Sequence, residues 1–176
     1  MSFKDIFNID GEVKESAHAR VNLIGEHTDY TGGYVMPTLL SFKNTIEISQ
    51  NNSNEFTVYS QHFKEKKSFN DLKKSTNNEW VDYIKGCLHI FFDENKISSR
   101  FLNIFIASDI PLERGISSSS ALCVATLKAL NTFFETKIKD PEIAKLAKKV
   151  EFNYIGVSGW IMYQMVSYIV IPVKAF

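Results

Sequence analysis

The densest group of side chains that could do chemistry lies in the stretch ARVNLIGEHTDYTGGYVMP, residues 19–37. Within ten residues this stretch contains Arg20, Glu26, His27 and Asp29. Apolar residues flank the polar segment on both sides, and its Gly-Gly pair suits a tight return of the chain. The pattern therefore predicts two strands joined by a polar loop. Such a loop brings two carboxylates, an imidazole and a guanidinium into one small volume.

These side chains suit an uncharged ligand that carries many hydroxyl groups. A carboxylate such as Asp29 can accept hydrogen bonds from two neighbouring hydroxyls, and charge-assisted bonds are about twice as strong as neutral ones. Glu26 and His27 could hold a further hydroxyl. A solvated hairpin tip is the simpler alternative, since polar loop tips are common. A zinc site fits the spacing less well, because the stretch lacks the i, i+4 histidine pair of zinc-binding helices.

A run of four serines, Ser117–Ser120, precedes a predicted helix in the stretch PLERGISSSSALCVATLKALNTFF. The N-terminus of a helix carries unsatisfied N–H groups and a partial positive charge, so it can bind a phosphate group. Serine hydroxyls add donors and can also ligate Mg²⁺. The alternative is that these serines only cap the helix, which they favour. One cap needs one serine, however, so capping does not account for all four.

Both stretches resemble motifs of one enzyme family. Residues 19–37 resemble the sugar-recognition signature of galactokinases, which belong to the GHMP family of small-molecule kinases. The serine stretch resembles the phosphate-binding loop of that family, P-x-G-x-G-L-S-S-S-A, although Glu113 and Arg114 stand where the family has its first glycine and a small residue. A carboxylate at position 113 would repel a triphosphate unless it turns away or pairs with Arg114.

The resemblance implies a reaction and the residues that bind the sugar. The reaction is transfer of the γ-phosphoryl group of ATP to the anomeric hydroxyl of galactose, which depends mostly on positioning and charge. Arg20 would stabilise the transferring phosphoryl group, and Glu26, His27 and Asp29 would hold galactose.

The resemblance also implies residues that bind ATP and Mg²⁺. Ser119 and Glu151 would hold Mg²⁺, which prefers oxygen ligands. On sequence alone Glu151 could equally be a surface acid beside the apolar stripe of a helix that begins with Asp140 as its N-cap. The residues implied to bind ATP are Gly115, Ser117, Ser118, Ser119 and Trp80.

Trp80 begins the pattern W-x-x-Y-x-x-G, which runs to Gly86 along the apolar stripe of a predicted helix. Core packing explains most of this stripe. The pattern also resembles the galactokinase helix that lies beside the nucleotide, so we expect Trp80 or Tyr83 to border the adenine.

One motif departs from the family at a position that matters for catalysis. Residues 151–167, EFNYIGVSGWIMYQMVS, resemble the family's E-H-x-Y-V-G-V-x-C-G-I-M-D-Q-x-x-S, but Gly159, Trp160 and Tyr163 replace Cys, Gly and Asp. That aspartate is the proposed catalytic base, paired with the arginine that Arg20 matches. Tyrosine has a reference pKa near 10 and is mostly protonated at neutral pH. Losing a general base typically costs about 10² to 10⁴ in rate, so we expect impaired catalysis.

The composition narrows the class of protein. With 176 residues, of which 44% are hydrophobic, the chain can form one domain with a core. Twenty basic and twenty acidic side chains balance, so neither nucleic acid nor an acidic membrane is an expected partner. Cys87 and Cys123 fall at apolar helix positions and should be reduced core residues. The apolar residues 157–173 contain a proline and are shorter than the roughly 20 residues of a membrane span.

The fold implied by the resemblance is α+β, of the ribosomal-protein-S5-like type, with a mixed sheet backed by helices. Residues 1–176 would form the GHMP kinase N-terminal domain, and the family's second domain, with its glycine-rich third motif, would be absent. The charged N-terminus does not resemble a signal peptide, so we expect a cytoplasmic protein, and a monomer. Two alternatives remain open: a non-catalytic protein that binds galactose or ATP, and a truncated product without function.

Overall fold

The strands and helices are defined in a computed structural model that describes residues 1–24, 34, 36–75, 79–111, 118–157 and 166. The strands are β1 (Val13–Ile24), β2 (Met36–Gln50), β3 (Phe56–Ser60), β4 (Glu65–Phe69) and β5 (Leu102–Ser108). The helices are α1 (Phe3–Phe7), α2 (Val81–Asn95), α3 (Ser118–Phe133) and α4 (Asp140–Lys149), and α4 continues into a π-helical turn, Val150–Ile155.

The strands form one mixed sheet in the order β1-β2-β5-β3-β4. Strand β3 runs parallel to β5, and the other neighbouring pairs are antiparallel. Strand β4 lies at an edge of the sheet and carries Lys66 and Lys67, whose charges discourage pairing with another chain. The α+β class predicted from the sequence, a mixed sheet with helices, is confirmed.

The first two strands pair as the sugar-recognition stretch predicted. Strands β1 and β2 are antiparallel neighbours that flank residues 25–33, and Arg20 lies opposite Leu39. The second predicted strand was expected within the stretch that ends at Pro37, but β2 continues to Gln50 and is 15 residues long. The register between β1 and β2 shifts between His18 and Arg20 and again between Asn22 and Ile24, so the pairing is irregular close to the loop.

The main core lies between the sheet and helices α2, α3 and α4. Ile46, Ile48 and Ile104 are fully buried on the helix-facing side of the sheet. Helix α3 contacts β1, β2, α2 and α4, which explains why its apolar residues surround most of the helix and do not form one narrow stripe. Of its apolar residues, Ala125, Ala129 and Leu130 are buried, whereas Leu122 and Phe133 are half-buried.

The opposite face of the sheet is covered in part by α1. Ser2 caps this short helix with a reciprocal hydrogen-bonding pattern between Ser2 and Asp5. Phe3 packs with Tyr59 and Phe105, whose side chains point away from the main core because neighbouring residues of a strand point to opposite faces.

Helix α4 begins one residue earlier than the sequence indicated. Asp140 is the first helical residue and not the N-cap, which is Lys139 and makes no side-chain capping hydrogen bond. Pro141 lies in the first turn, where its missing N–H is tolerated. The apolar stripe of this helix is buried at Ile143 and Ala147.

Among the described residues no helix is both long enough and apolar enough to span a membrane. Most of residues 157–173, the only stretch considered for such a span, lie outside the described part of the chain.

Candidate functional site

The structure brings together the two residues proposed to hold Mg²⁺. Ser119 lies in the first turn of α3, and its Oγ donates a hydrogen bond of 2.8 Å to Oε1 of Glu151. Ser120 adds contacts of 3.2 Å and 3.0 Å from its Oγ to the two carboxylate oxygens. Glu151 is only 5% exposed, so the alternative of a surface acid is wrong. The result is a buried carboxylate fixed at the N-terminus of a helix.

Glu151 lies where helix α4 changes from an α-helix to a π-helical turn. The π-helical turn begins at Val150, and such turns occur frequently at functional sites. Gly156 ends the turn with a φ of 87°, a left-handed conformation that glycine adopts without strain. A regular helical continuation was expected from the sequence, so the π turn is a difference that periodicity alone does not reveal.

Gly86 of α2 allows this turn to pack closely. A Cβ at position 86 would lie 2.8 Å from Cδ1 of Tyr154 and 2.9 Å from Cγ1 of Val150, closer than Cβ contacts occur. The glycine of the W-x-x-Y-x-x-G pattern is therefore explained by close approach between α2 and the turn that carries Glu151.

We predict that Gly86→Ala lowers the free energy of unfolding by about 1–3 kcal/mol, because overpacking at this contact exceeds the gain in helix propensity. Urea denaturation measures the change. Asp93→Ala, on the exposed side of the same helix, is the control and should be nearly neutral. A Gly86→Ala variant as stable as the wild type would contradict the packing argument.

Tyr83 of α2 completes the group around Glu151. The side chain of Ser119 lies beside its hydroxyl. Burial raises the pKa of Tyr83, the neighbouring Cys123 and Glu151 raise it further, and the Ser119 side chain partly offsets the rise. Because tyrosine ordinarily titrates near pH 10, Tyr83 is protonated at neutral pH and acts as a neutral hydroxyl.

Two buried thiols, those of Cys87 and Cys123, lie one helical turn after Tyr83 and Ser119. Sγ of Cys87 lies 3.8 Å from the carbonyl oxygen of Cys123, and both cysteines are free and fully buried. The hydrogen bond from Cys87 and burial raise the pKa of Cys123 well above its usual value. The thiolate is the nucleophilic form of cysteine, so Cys123 does not fit a catalytic nucleophile. The prediction of two reduced core cysteines is confirmed.

Trp80 lies just before α2, next to a small pocket of about 60 Å³ that Ser118 also lines. The indole stacks on Phe63, with ring centroids 5.7 Å apart and an interplanar angle of 19°. Its Nε1 donates a hydrogen bond of 2.8 Å to Oε2 of Glu65. Two residues proposed to contact ATP therefore share one pocket, and the indole is held in place by its neighbours.

A second pocket, of about 330 Å³, lies on the Tyr83 side of α2. Its walls include Asp82, Tyr83 and the end of the π turn at Ile155. Asp82 is buried and accepts hydrogen bonds of 2.9 Å and 2.7 Å from the backbone and hydroxyl of Ser75. Lys74 donates to the carbonyl oxygen of Ile155 at 2.5 Å. The segment before α2 is thus tied both to the helix and to the turn that carries Glu151.

Arg20 lies on β1 and is 3% exposed. The neighbouring Ala19 packs with Ala121 of α3. A buried guanidinium on a strand that leads directly into the polar loop agrees with a functional role, and such a group stays charged at any working pH. The remaining site residues predicted from the sequence lie outside the described part of the chain: Glu26, His27, Asp29, Gly115, Ser117 and Tyr163.

Sequence reasoning missed Ser120 as a partner of Glu151 and Tyr83 as a neighbour of Ser119. The run of four serines was a signal for the first, because the phosphate-loop resemblance used only part of the run. For Tyr83 the helical spacing was a signal, since the residue lies one turn before Cys87 on the same helix face. Neither contact was predicted, because both depend on how α2, α3 and the π turn pack.

Comparison with known proteins decides the family. A family model described as the GHMP kinases N terminal domain matches residues 82–169, half of the chain, which include Tyr83, Ser119 and Glu151. The chain belongs to the GHMP kinases. A second model, the galactokinase galactose-binding signature, matches residues 1–50. The resemblance inferred from the sequence is confirmed.

Individual relatives of this GHMP kinase chain are galactokinases. It is 35% identical over 168 residues to the galactokinase of Fusobacterium nucleatum, covering 92% of this chain and 43% of the relative. It is 40% identical over 146 residues to the galactokinase of Pyrococcus furiosus, covering 82% of this chain and 40% of the relative. The chain therefore spans less than half the length of the curated relatives it matches.

Solved structures confirm the predicted GHMP kinase N-terminal fold. The crystal structure of Lactococcus lactis galactokinase complexed with galactose has a TM-score of 0.84 and 29% identity, covering 93% of this chain and 44% of that one. The mevalonate kinase of Methanococcus jannaschii has a TM-score of 0.78 and 25% identity, covering 88% of this chain and 50% of that one.

The residues around Glu151 fit a divalent cation that arrives with phosphate groups. Mg²⁺ takes oxygen ligands and is usually held by one or two carboxylates together with the phosphates of the substrate. No group of three or more metal-ligating side chains occurs among the described residues, so this part of the protein does not form a complete cage. Ser119 donates its hydrogen to Glu151, which leaves lone pairs of its oxygen for a cation.

Proposed function

We propose that this chain carries the galactose and ATP sites of a galactokinase-type kinase, which transfers the γ-phosphoryl group of ATP to the anomeric hydroxyl of galactose. The observation that carries the proposal is the buried Glu151 carboxylate, bonded to Ser119 and Ser120 at the N-terminus of α3. A helix N-terminus attracts anions, whereas a fixed carboxylate attracts cations. The two together suit a phosphate group that is bound with Mg²⁺.

The roles follow from the positions of the residues. Ser119 and Glu151 would hold Mg²⁺, and Ser118, with Gly115 and Ser117 of the preceding loop, would contact phosphate oxygens. Trp80 would border the adenine, a role supported by the pocket that it shares with Ser118. Bound Mg²⁺ would neutralise charge that develops on the phosphates during transfer.

The sugar would be held by the loop between β1 and β2. Glu26, His27 and Asp29 are proposed to accept hydrogen bonds from galactose, in support of which the galactose-binding signature matches this part of the chain. Arg20, buried beside that loop on β1, would stabilise the transferring phosphoryl group. Residues 1–176 are proposed as a single GHMP kinase N-terminal domain of a cytoplasmic, monomeric protein.

Tyr163 distinguishes this chain from an ordinary galactokinase. It stands where the resemblance places an aspartate base, and a protonated phenol cannot accept the proton of the attacking hydroxyl. We propose that transfer by this chain is strongly slowed while ligand binding is retained. The second candidate, a protein that binds galactose and ATP without transferring phosphate, is favoured by the same replacement.

Calorimetric titration with galactose tests the proposal. We expect a heat of binding for galactose. Glucose differs from galactose in the orientation of one hydroxyl and should bind at least tenfold more weakly, because a site built to hydrogen-bond a hydroxyl discriminates against a misplaced one. A parallel assay of ATP consumption separates slow transfer from binding alone. No heat at millimolar galactose would exclude both candidates.

A further inference from the structure

Asn22 of β1 has a buried amide without a hydrogen-bond partner among the described residues. The residue is 8% exposed, and both its Nδ2 and its Oδ1 lack a partner there. Buried amides normally find partners, and a buried polar atom left without one destabilises the fold. Leucine, which has a similar shape and no polar side-chain atoms, would fit such a position better. The presence of an amide therefore indicates a partner that the described residues do not supply.

The position of Asn22 indicates where that partner lies. Arg20, Val21 and Asn22 pair in unbroken register with Leu39, Thr38 and Pro37 of β2. Since side chains alternate along a strand, Arg20 and Asn22 point to the same face of the sheet, with roughly 7 Å between their Cα atoms. Asn22 thus lies next to the guanidinium proposed to act on the phosphoryl group, and it is three residues ahead of residues 25–33.

The chemistry of the amide limits the ligand. Nδ2 can only donate and Oδ1 can only accept, and both are unpaired within the described residues. A phosphate anion could satisfy the donor but not the acceptor. A hydroxyl group both donates and accepts, so a hydroxyl satisfies both atoms, either directly or through one water that it holds.

We propose that Asn22 is a positioning residue for the phosphoryl acceptor, whose hydroxyl groups supply the hydrogen bonds that the amide does not find among the described residues. The inference rests on the proposed function, because it takes galactose as the acceptor. It implies that the amide lowers the stability of the free protein and contributes to binding of the sugar.

The test is Asn22→Leu in the 176-residue chain, followed by thermal unfolding with and without galactose. Leucine keeps the branching at Cγ and removes both polar atoms. We expect the free variant to unfold about 2–4 °C higher than the wild type and to bind galactose about tenfold more weakly. A gain in stability together with a loss of affinity is not expected of a residue that only supports the fold.

Asn103→Leu is the matched control. Asn103 is also 8% exposed and lies in a strand, but its Nδ2 donates hydrogen bonds of 3.4 Å to Oγ of Ser49 and to the carbonyl oxygen of Gln50. Its replacement should lower the unfolding temperature and leave galactose affinity unchanged. If leucine at position 22 prevents folding, Asn22→Ala removes the amide without adding volume, and we expect it to unfold within about 2 °C of the wild type and to bind galactose about tenfold more weakly.

The outcomes separate this inference from the proposed function. If galactose raises the unfolding temperature of the wild type and of Asn22→Leu equally, the role proposed for Asn22 is wrong and the proposed function is unaffected. A lower unfolding temperature of free Asn22→Leu, like that of Asn103→Leu, would also overturn it, because the amide would then be satisfied within the fold. If galactose does not raise the unfolding temperature of the wild-type chain, the proposed function is wrong, and so is the ligand assigned to Asn22.

Discussion

Glu151→Gln is expected to weaken the binding of ATP in the presence of Mg²⁺ by at least tenfold, with little change in the absence of the cation. The substitution keeps the shape of the side chain and leaves one oxygen that can accept from Ser119 or Ser120. It removes the negative charge, however, which is what a carboxylate contributes to a divalent cation. Calorimetric titration with ATP, with Mg²⁺ and then with chelator, measures both affinities.

The control for this variant is Glu142→Gln. Glu142 lies on the exposed side of α4, and its Oε1 lies 2.7 Å from Nζ of Lys145. An ion pair at the surface adds little to stability. The affinity of the Glu142→Gln variant for ATP should equal that of the wild type, both with Mg²⁺ and with chelator. If Glu151→Gln weakened ATP binding equally with and without Mg²⁺, the carboxylate would serve to hold α3 and the π turn together and would not hold a cation.

Tyr163→Asp combined with Trp160→Gly is expected to raise the rate of phosphoryl transfer to galactose by about 10² to 10⁴, the range typical of a general base. The aspartate restores a group that is ionised at neutral pH, and the glycine removes an indole from a position where the family has no side chain. Because the chain spans less than half the length of its relatives, the rate is measured both in the chain alone and in a chimera extended with the remaining residues of the Fusobacterium nucleatum galactokinase.

Trp160→Gly alone is the control, and it should leave the rate low because no base has been restored. A double variant in the chimera that binds galactose and ATP but transfers no faster than this control would show that position 163 does not have the role assigned to it.

The elements of this fold could be predicted because their patterns are local. The alternation around Ala19 and Val21, the helical stripe that includes Ile84 and Leu88, and the apolar run before Ser108 each depend on a few neighbouring residues. The length of β2 was not predicted, because its side chains before Asn44 are half-buried or exposed and do not alternate clearly. The start of α4 was misplaced by one residue because aspartate suits both an N-cap and a first turn.

The candidate site could be predicted in part, and mainly by resemblance. The serine run and Glu151 were paired because the family pairs them, and the contact of 2.8 Å agrees with that expectation. Burial of Glu151 could not be predicted, because it depends on a π turn packed against Gly86. The unsatisfied amide of Asn22 was equally invisible in the sequence, since an asparagine in a strand reveals neither its burial nor its partners.

The central claim is that Ser119 and Glu151 hold a divalent cation together with the phosphates of ATP. Nuclear magnetic resonance of the chain with Mn²⁺ in place of Mg²⁺ tests it most directly, since the paramagnetic ion broadens signals of nearby nuclei. We predict that Mn²⁺ with ATP broadens the amide signals of Tyr83, Ser119 and Glu151 and leaves those of Phe3 and Tyr59, on the opposite face of the sheet, sharp. Broadening that is centred elsewhere, or that is the same with and without ATP, would contradict the claim.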